Sequence, residues 1–209
     1  MAAYLFGSIP FGKLITQRVA GIDIMTQGSR NIGATNVARE VGVFWGIITL
    51  LLDMLKGYIP VALYADVVSQ HGDGYAVGLS LVVISAIVGH QFSIFLRFKG
   101  GKGVATATGI YLALSPLACL VAVILFIVIM YKWDFVSLAS TVSASAMPLL
   151  LAGFGEKPPL IIASTLLAAL ICLKHRGNFK RILKGEERKW REKKHHPNKS
   201  RSRSNSSSE

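Results

Sequence analysis

The sequence predicts an all-α, polytopic integral membrane protein with about seven transmembrane helices. Apolar residues make up 52% of the chain and charged residues only 16%, whereas a soluble domain carries about 25% charged residues. The charges are also unevenly placed: from residue 174 onward there are 13 Lys and Arg against 4 Glu. A nearly neutral apolar body with a basic terminus is typical of an integral membrane protein.

Long apolar segments set the expected number of helices, because a helix needs about 20 mostly apolar residues to cross a bilayer. Five segments are clear candidates, and two are short enough that we expect them to be tilted or only partly spanning. The clear segments lie near residues 42–65, 75–89, 116–131, 136–153 and 158–174, and the short ones near 2–17 and 104–114.

The charges of the connecting loops predict the orientation. Loops 18–41 and 90–103 are basic, whereas loop 66–74 is acidic, and basic loops mark the cytoplasmic side of a membrane. Seven helices place every basic loop and the C-terminus in the cytoplasm and the N-terminus outside, and five helices fit as well. We expect a membrane domain at 1–187 and a disordered basic tail at 188–209, which the anionic cytoplasmic leaflet would attract.

The first unusual polar segment is GSRNIGATNVAR, residues 28–39. Its two glycines, Gly28 and Gly33, allow the backbone to approach a ligand closely. Arg39 offers a planar fork, and paired charge-assisted hydrogen bonds from such a fork suit a phosphate. An ordinary loop capped by small polar residues has the same composition, so that alternative stays open. The candidate phosphate ligands are Ser29, Asn31, Thr35, Asn36 and Arg39.

The second polar segment is GHQFSIFLRFKGGKGVATATG, residues 89–109. A glycine-rich backbone before a helix can form a nest of N–H groups that holds an anion. The segment is not a nucleotide-binding P-loop, because Leu96 replaces the first glycine and Gly103 follows the lysine where Ser or Thr is needed. We expect a cradle for a phosphate or an acyl-phosphate, against the alternative of a flexible loop. The candidates are His90, Lys99, Gly100, Gly101, Lys102 and Gly103.

The third polar segment is KHRGNFKRILKGEE, residues 174–187, at the end of a predicted membrane helix. His175 could donate to a phosphate or move a proton, and Asn178 lies close to it in the sequence. Interfacial basic residues that fix the topology are the alternative. Ser137 is a weaker candidate, since small residues also occur at helix contacts without further function.

Two charged residues fall inside an apolar segment, Asp53 and Lys56, three positions apart. A charge within the membrane indicates function by default, but a pair that neutralises itself at a helix contact explains the pattern equally well.

Several kinds of chemistry are excluded or not supported. The His-x4-Asp dyad of other acyltransferases is absent, because Phe95 stands five places after His90 and Lys180 five places after His175. Neither Cys119 nor Cys172 belongs to a zinc or disulfide pattern, and His195-His196 has no third ligand nearby. We therefore expect no metal and no cofactor, and an enzyme without an obvious protein base.

The three polar segments, in this order and spacing, closely resemble the signature motifs of the bacterial acyl-phosphate:glycerol-3-phosphate acyltransferases. The resemblance extends to GSIPFGKL and LDMLKG and covers roughly residues 4–187. It implies a seven-helix enzyme of the cytoplasmic membrane whose active site faces the cytoplasm. The enzyme would move a fatty acyl group from acyl-phosphate to the sn-1 hydroxyl of glycerol 3-phosphate, the first step of phospholipid biosynthesis, giving lysophosphatidic acid and phosphate.

The resemblance also implies roles for individual residues. Ser29 and Arg39 belong to the essential first motif, and Gly100, Gly101, Lys102 and Gly103 form a phosphate loop. The third motif supplies His175 and Asn178 to the active site, Glu187 is its structural acid, and Ser137 matches a serine that contacts substrate. Arg30 departs from the pattern, since many members have Gly at this position.

The residues leave the catalytic base open. A substrate phosphate could take the proton of the attacking hydroxyl, and His175 and His90 are the protein candidates. Ser29 as a covalent nucleophile has no base beside it in the sequence.

A transporter of organic phosphates and a membrane scaffold that recruits a partner through its tail are the competing functions. The expected partners are acyl-phosphate, glycerol 3-phosphate and membrane lipids, without nucleic acid, and the oligomeric state stays open.

Overall fold

The structure is a computed structural model that describes residues 1–68 and 74–192. Within these ranges it contains ten α-helices and one 3₁₀ helix, Ile94–Leu96, and no strand. The predicted all-α class is therefore confirmed. The helices are α1 (Ala2–Gly7), α2 (Phe11–Ala20), α3 (Ala34–Glu40), α4 (Val43–Val67), α5 (Tyr75–Gln91), α6 (Val104–Leu114), α7 (Pro116–Trp133), α8 (Val136–Gly153), α9 (Pro158–Lys174) and α10 (Arg176–Leu183).

The protein is an integral membrane protein with several apolar helices of spanning length. In the described part of the chain, α4, α5 with the 3₁₀ helix, α7 and α8 are each long and apolar enough to cross a membrane. The pair α9 and α10, bent by 52°, forms a fifth candidate, and α6 is a shorter apolar helix. The total of seven spans and the orientation stay predictions. Within the predicted tail, residues 193–209, including His195-His196, lie outside the described residues.

The first predicted segment is not one helix. A break at Ser8–Pro10 separates α1 from α2, and proline lacks the N–H that a continuous helix needs. Side chains from other parts of the chain satisfy the carbonyl groups that the break leaves free: Ser93 Oγ, from the loop after α5, donates to the Ser8 carbonyl at 2.6 Å, and Lys56 Nζ of α4 donates to the Ile9 carbonyl at 2.9 Å. The expectation of one short helix over residues 2–17 was therefore wrong.

The buried lysine at this break is neutralised by an aspartate on its own helix. Lys56 Nζ lies 2.9 Å from Asp53 Oδ1, and both side chains are almost fully buried. The structure thus favours the self-neutralising pair that the sequence left as an alternative. Lys56 has a second role, because its hydrogen bond to the Ile9 carbonyl holds the broken N-terminal segment against α4.

Glycines bring α4 and α6 unusually close together. A Cβ atom at Gly57 would collide with the carbonyl of Thr106, and one at Gly109 would collide with the carbonyl of Met54. Close backbone approach through small residues is the usual way to pack helices inside a membrane. Because α6 begins directly after the second polar segment, this contact fixes the start of α6 relative to α4.

The polar segments meet at one end of the helix bundle. Lys174 Nζ, at the end of α9, donates to the Gln91 carbonyl at the end of α5 at 2.8 Å. Gln91 Nε2 in turn donates to the Lys102 carbonyl, just before α6, at 2.9 Å. Helix ends from three parts of the chain are thereby joined around the second polar segment.

We expect Lys56→Met and Asp53→Asn each to lower the free energy of unfolding by about 3–5 kcal/mol, because each leaves an uncompensated buried charge. The double variant Asp53→Asn/Lys56→Met should be clearly more stable than the sum of the single losses predicts. It should still be less stable than the parent, since the Ile9 carbonyl loses its donor. Unfolding in detergent micelles measures all four proteins, and additive losses would contradict the pairing.

Candidate active site

A cavity of about 720 Å³ opens where the three polar segments meet. Its wall includes residues from all three segments and from the start of α8, so the fold brings together side chains that are up to 158 positions apart from Ser29 to Glu187. The predicted site residues that line it are Ser29, Asn31, Thr35, Asn36, Arg39, His90, Lys102, Gly103, Ser137, His175, Asn178 and Glu187.

Three predicted residues do not line the cavity. Lys99 is exposed, and its amide donates to the Leu96 carbonyl. The amides of Gly100 and Gly101 donate to the carbonyl groups of Gln91 and His90 at 3.2 and 3.1 Å. These two N–H groups are therefore used to close the end of α5, which corrects the idea that they form the anion nest.

The two glycines are needed for close approach. A Cβ atom at Gly100 would collide with the His90 carbonyl, and one at Gly101 would collide with the His90 ring. The amides that stay available in this loop are those of Lys102 and Gly103, which form no backbone hydrogen bond among the described residues. Since Gly103 caps α6 in the left-handed conformation, at φ 85°, the anion-binding geometry moves to the N-terminus of that helix.

Glu187 joins the third polar segment to α8. Its Oε1 accepts from Ser137 Oγ at 2.8 Å and from Asn178 Nδ2 at 2.5 Å, and its Oε2 accepts from Arg181 Nε at 2.8 Å. Burial alone would raise the pKa of Glu187, but these three donors outweigh it and hold the pKa below its ordinary value. The carboxylate is therefore ionised at neutral pH and fixed in place.

Lys102 is connected to this carboxylate through Asn178. Lys102 Nζ donates to Asn178 Oδ1 at 2.7 Å, while the amide nitrogen of Asn178 donates to Glu187. Burial lowers the pKa of Lys102 to about 8, against the attraction of Glu187, which raises it. The ammonium is a partly buried cation that an arriving phosphate would stabilise further.

The tautomer of His175 follows from its neighbour. Its Nδ1 lies 2.8 Å from the Ile171 carbonyl, and a carbonyl oxygen only accepts, so Nδ1 carries the proton. The ring is buried and lines the cavity. In the neutral ring Nε2 is then the nitrogen that can accept a hydrogen bond from a ligand.

The first polar segment is folded around Asn36. Asn36 Oδ1 accepts from the Ser29 amide at 3.0 Å, and Asn36 Nδ2 donates to the carbonyls of Gln27 and Asn31 at 3.0 and 2.9 Å. Its side chain therefore shapes the loop that carries Ser29 and leads into α3, the helix that carries Arg39. Arg30 lies in the left-handed region at φ 57°, a conformation that glycine adopts without strain.

Among the cavity-wall residues that the sequence did not place at the site, three carry a charge or an indole ring. Asp53, in α4, lines the cavity, and its Oδ1 lies 3.9 Å from His90 Nδ1. Arg188 and Trp190 line it from the start of the predicted tail. The intramembrane charge was the available signal for Asp53, whereas composition placed Arg188 and Trp190 in a solvated tail.

The cavity continues from its polar end into the apolar part of the bundle. Phe126 and Ile127 of α7, Ile47 of α4 and Met147 of α8 belong to its wall. The two parts differ in chemistry, since one end offers cations and hydrogen-bond donors and the other is mostly apolar. Within residues 1–68 and 74–192 no group of three or more His, Cys, Asp or Glu is placed to hold a metal ion.

The match to known families decides the relationship. The family model of glycerol-3-phosphate acyltransferase matches residues 1–185. The chain belongs to the glycerol-3-phosphate acyltransferase family. The resemblance that the three motifs carry is thereby confirmed, and the chain is an enzyme of this family rather than a transporter or a scaffold.

Individual relatives agree with the assignment. The glycerol-3-phosphate acyltransferase of Geotalea daltonii is 46% identical over 187 residues, covering 90% of this chain and 93% of that protein. The one of Trichlorobacter lovleyi is 46% identical over 190 residues, covering 90% and 94%. The crystal structure of PlsY (YgiH), an integral membrane glycerol 3-phosphate acyltransferase, in its glycerol 3-phosphate form, is 37% identical with a TM-score of 0.84, covering 90% and 92%.

Proposed function

We propose that the protein transfers a fatty acyl group from acyl-phosphate to the sn-1 hydroxyl of glycerol 3-phosphate. The products are 1-acylglycerol 3-phosphate (lysophosphatidic acid) and inorganic phosphate. The single observation that carries the proposal is the two-part cavity, which joins a cationic polar end to an apolar passage between helices of membrane-spanning length. A reaction between a water-soluble phosphate and a lipid-like acyl donor needs such a site.

Both substrates carry phosphate, and the polar end has two places for it. Arg39 and Ser29 lie on the first polar segment, and we assign them to glycerol 3-phosphate. Lys102 and the amides at the start of α6 belong to the second polar segment, and we assign them to the phosphate of the acyl donor, whose chain would then occupy the apolar passage. In this assignment the glycines at positions 100 and 101 support the loop without touching the substrate.

The reaction balances without an external group. The sn-1 hydroxyl oxygen attacks the acyl carbonyl carbon, a new ester C–O bond forms, and the anhydride C–O bond breaks to release phosphate. The ammonium of Lys102 stabilises the negative charge that develops on the leaving phosphate. Because acyl-phosphate is a mixed anhydride with a good leaving group, much of the rate enhancement comes from orienting two bound reactants.

A phosphate of the substrates takes the hydroxyl proton in our proposal. Glu187 is held by three donors, so it serves to position Asn178 and Ser137 rather than to accept that proton. His175 presents Nε2 as an acceptor and orients the hydroxyl. The site faces the cytoplasm of a bacterial cell, as the basic loops and the water-soluble substrate require.

The donor is tested by an assay with purified protein and radiolabelled glycerol 3-phosphate. We expect labelled lysophosphatidic acid with acyl-phosphate as the donor, and none with acyl-CoA or acyl-carrier protein, because neither thioester carries an acyl phosphate for the Lys102 site. Lys102→Met, with a similar length and no charge, is the matched control and should lower kcat/KM at least about 100-fold. Transfer from a thioester alone would refute the proposed donor.

The proton acceptor is tested by the pH profile of residual activity in His175→Ala. If a phosphate accepts the proton, the variant loses positioning, yet an inflection near the second phosphate pKa of about 6 survives. His175→Gln, which keeps a hydrogen bond but cannot move the proton, should retain more activity than the alanine variant. A flat profile in both variants would make His175 the base.

A further inference from the structure

The segment formed by residues 188–191, called the strap below, contributes to the cavity wall next to the first polar segment. It begins directly after Glu187, and its residues Arg188 and Trp190 line the cavity. The strap lies beyond residue 185, where the match to the family model ends. The contacts of the strap are therefore additional to the motifs on which the family assignment rests.

One end of the strap holds Arg39. The Nη2 atom of Arg39 donates to the backbone carbonyls of Arg188 and Lys189 at 3.3 and 3.4 Å. The guanidinium carbon also lies 5.8 Å from the centre of the Trp190 ring, within the range of a cation–π contact. Arg188 Nη1 lies 3.8 Å from Glu40, the next residue of α3.

The other end of the strap is fixed to the turn between α7 and α8. The Trp190 amide donates to the Asp134 carbonyl at 3.0 Å. The Arg191 amide donates to Asp134 Oδ2 at 3.2 Å, and Arg191 Nε lies 3.7 Å from Asp134 Oδ1. The strap thus has two anchors, one on α3 and one on the turn before α8.

From these contacts we infer that Trp190, with its anchor Asp134, is a positioning residue for Arg39. The strap carbonyls use only one of the three guanidinium nitrogens, and Nε and Nη1 form no hydrogen bond within the described residues. A guanidinium held on one side by carbonyls and supported by a ring keeps its other nitrogens in a fixed direction. A preorganised fork binds phosphate more tightly because less side-chain freedom is lost on binding.

The inference rests on the proposed function in one respect, namely that Arg39 binds the phosphate of glycerol 3-phosphate. We expect Trp190→Ala to raise KM for glycerol 3-phosphate about two- to fivefold, the size of an exposed cation–π contact. Its kcat and its KM for acyl-phosphate should stay within about twofold. Trp190→Phe should restore most of the affinity. Asp134→Gly tolerates the left-handed backbone at φ 62° and removes the carboxylate contacts with Arg191, but it keeps the carbonyl that accepts from the Trp190 amide, so it should raise KM for glycerol 3-phosphate less than Trp190→Ala does.

The matched control is Trp133→Ala, because Trp133 is similarly exposed at 44% against 39% for Trp190 but contacts Lys132 instead of Arg39. This variant should leave KM for glycerol 3-phosphate unchanged. A positioning residue acts through its target, so Trp190→Ala should have little further effect in an Arg39→Lys protein. An equal rise of KM in the parent and in the Arg39→Lys protein, or no rise at all, would overturn the inference.

A second measurement is independent of acyl transfer. Trp45→Phe/Trp133→Phe leaves Trp190 as the only tryptophan of the three in the sequence, so acrylamide quenching reports on its ring alone. We expect Arg39→Ala in this background to increase the quenching constant, because the Trp190 ring loses the guanidinium that lies over it and becomes more accessible to acrylamide. An unchanged constant would overturn the contact. If the parent enzyme fails the donor assay, the proposed function falls, while this measurement still decides on the strap.

Discussion

The site depends on the carboxylate of Glu187, which joins α8 and α10 directly, and the loop before α6 through Asn178, into one polar wall. Ser137 from α8, Asn178 from α10 and Arg181 all donate to it. Through Asn178 it also fixes Lys102 in front of α6. Without this carboxylate, the cations Arg181 and Lys102 would repel each other, and the neutral donors Ser137 and Asn178 would lack a fixed acceptor. A single ionised carboxylate at the centre provides both the charge balance and the directions of the hydrogen bonds.

The membrane imposes a second constraint, because buried polar groups have no water to bind. The break between α1 and α2 is tolerated because Ser93 and Lys56 donate hydrogen bonds to the carbonyls that have no partner within a helix. The end of α5 is closed in the same way by the amides of Gly100 and Gly101. Irregular backbone thus occurs where other parts of the chain supply hydrogen-bond partners, and these bonds place the second polar segment at the cavity.

The sequence predicted the helices and the site to different extents. Apolar segments identified α4, α5, α7, α8 and α9, because length and composition are local properties. The break at Pro10 was misjudged, since its stabilising partner, Lys56, lies 47 positions away from Ile9. Similarly, the glycine motif indicated the right loop but the wrong amides, because only the fold reveals that the end of α5 consumes those of Gly100 and Gly101. The strap carries no local signal at all.

The charge of Glu187 raises the pKa of the partly buried Lys102 against the effect of burial. This electrostatic coupling between the two side chains can be measured directly. The ε-amine of Lys102, labelled with ¹³C-methyl groups and assigned with Lys102→Arg, is titrated by NMR in detergent micelles. We predict a pKa of about 8 in the parent and a lower pKa in Glu187→Gln, because the isosteric amide removes the attraction that opposes burial. An unchanged or higher pKa of Lys102 in Glu187→Gln would contradict this central role of the carboxylate.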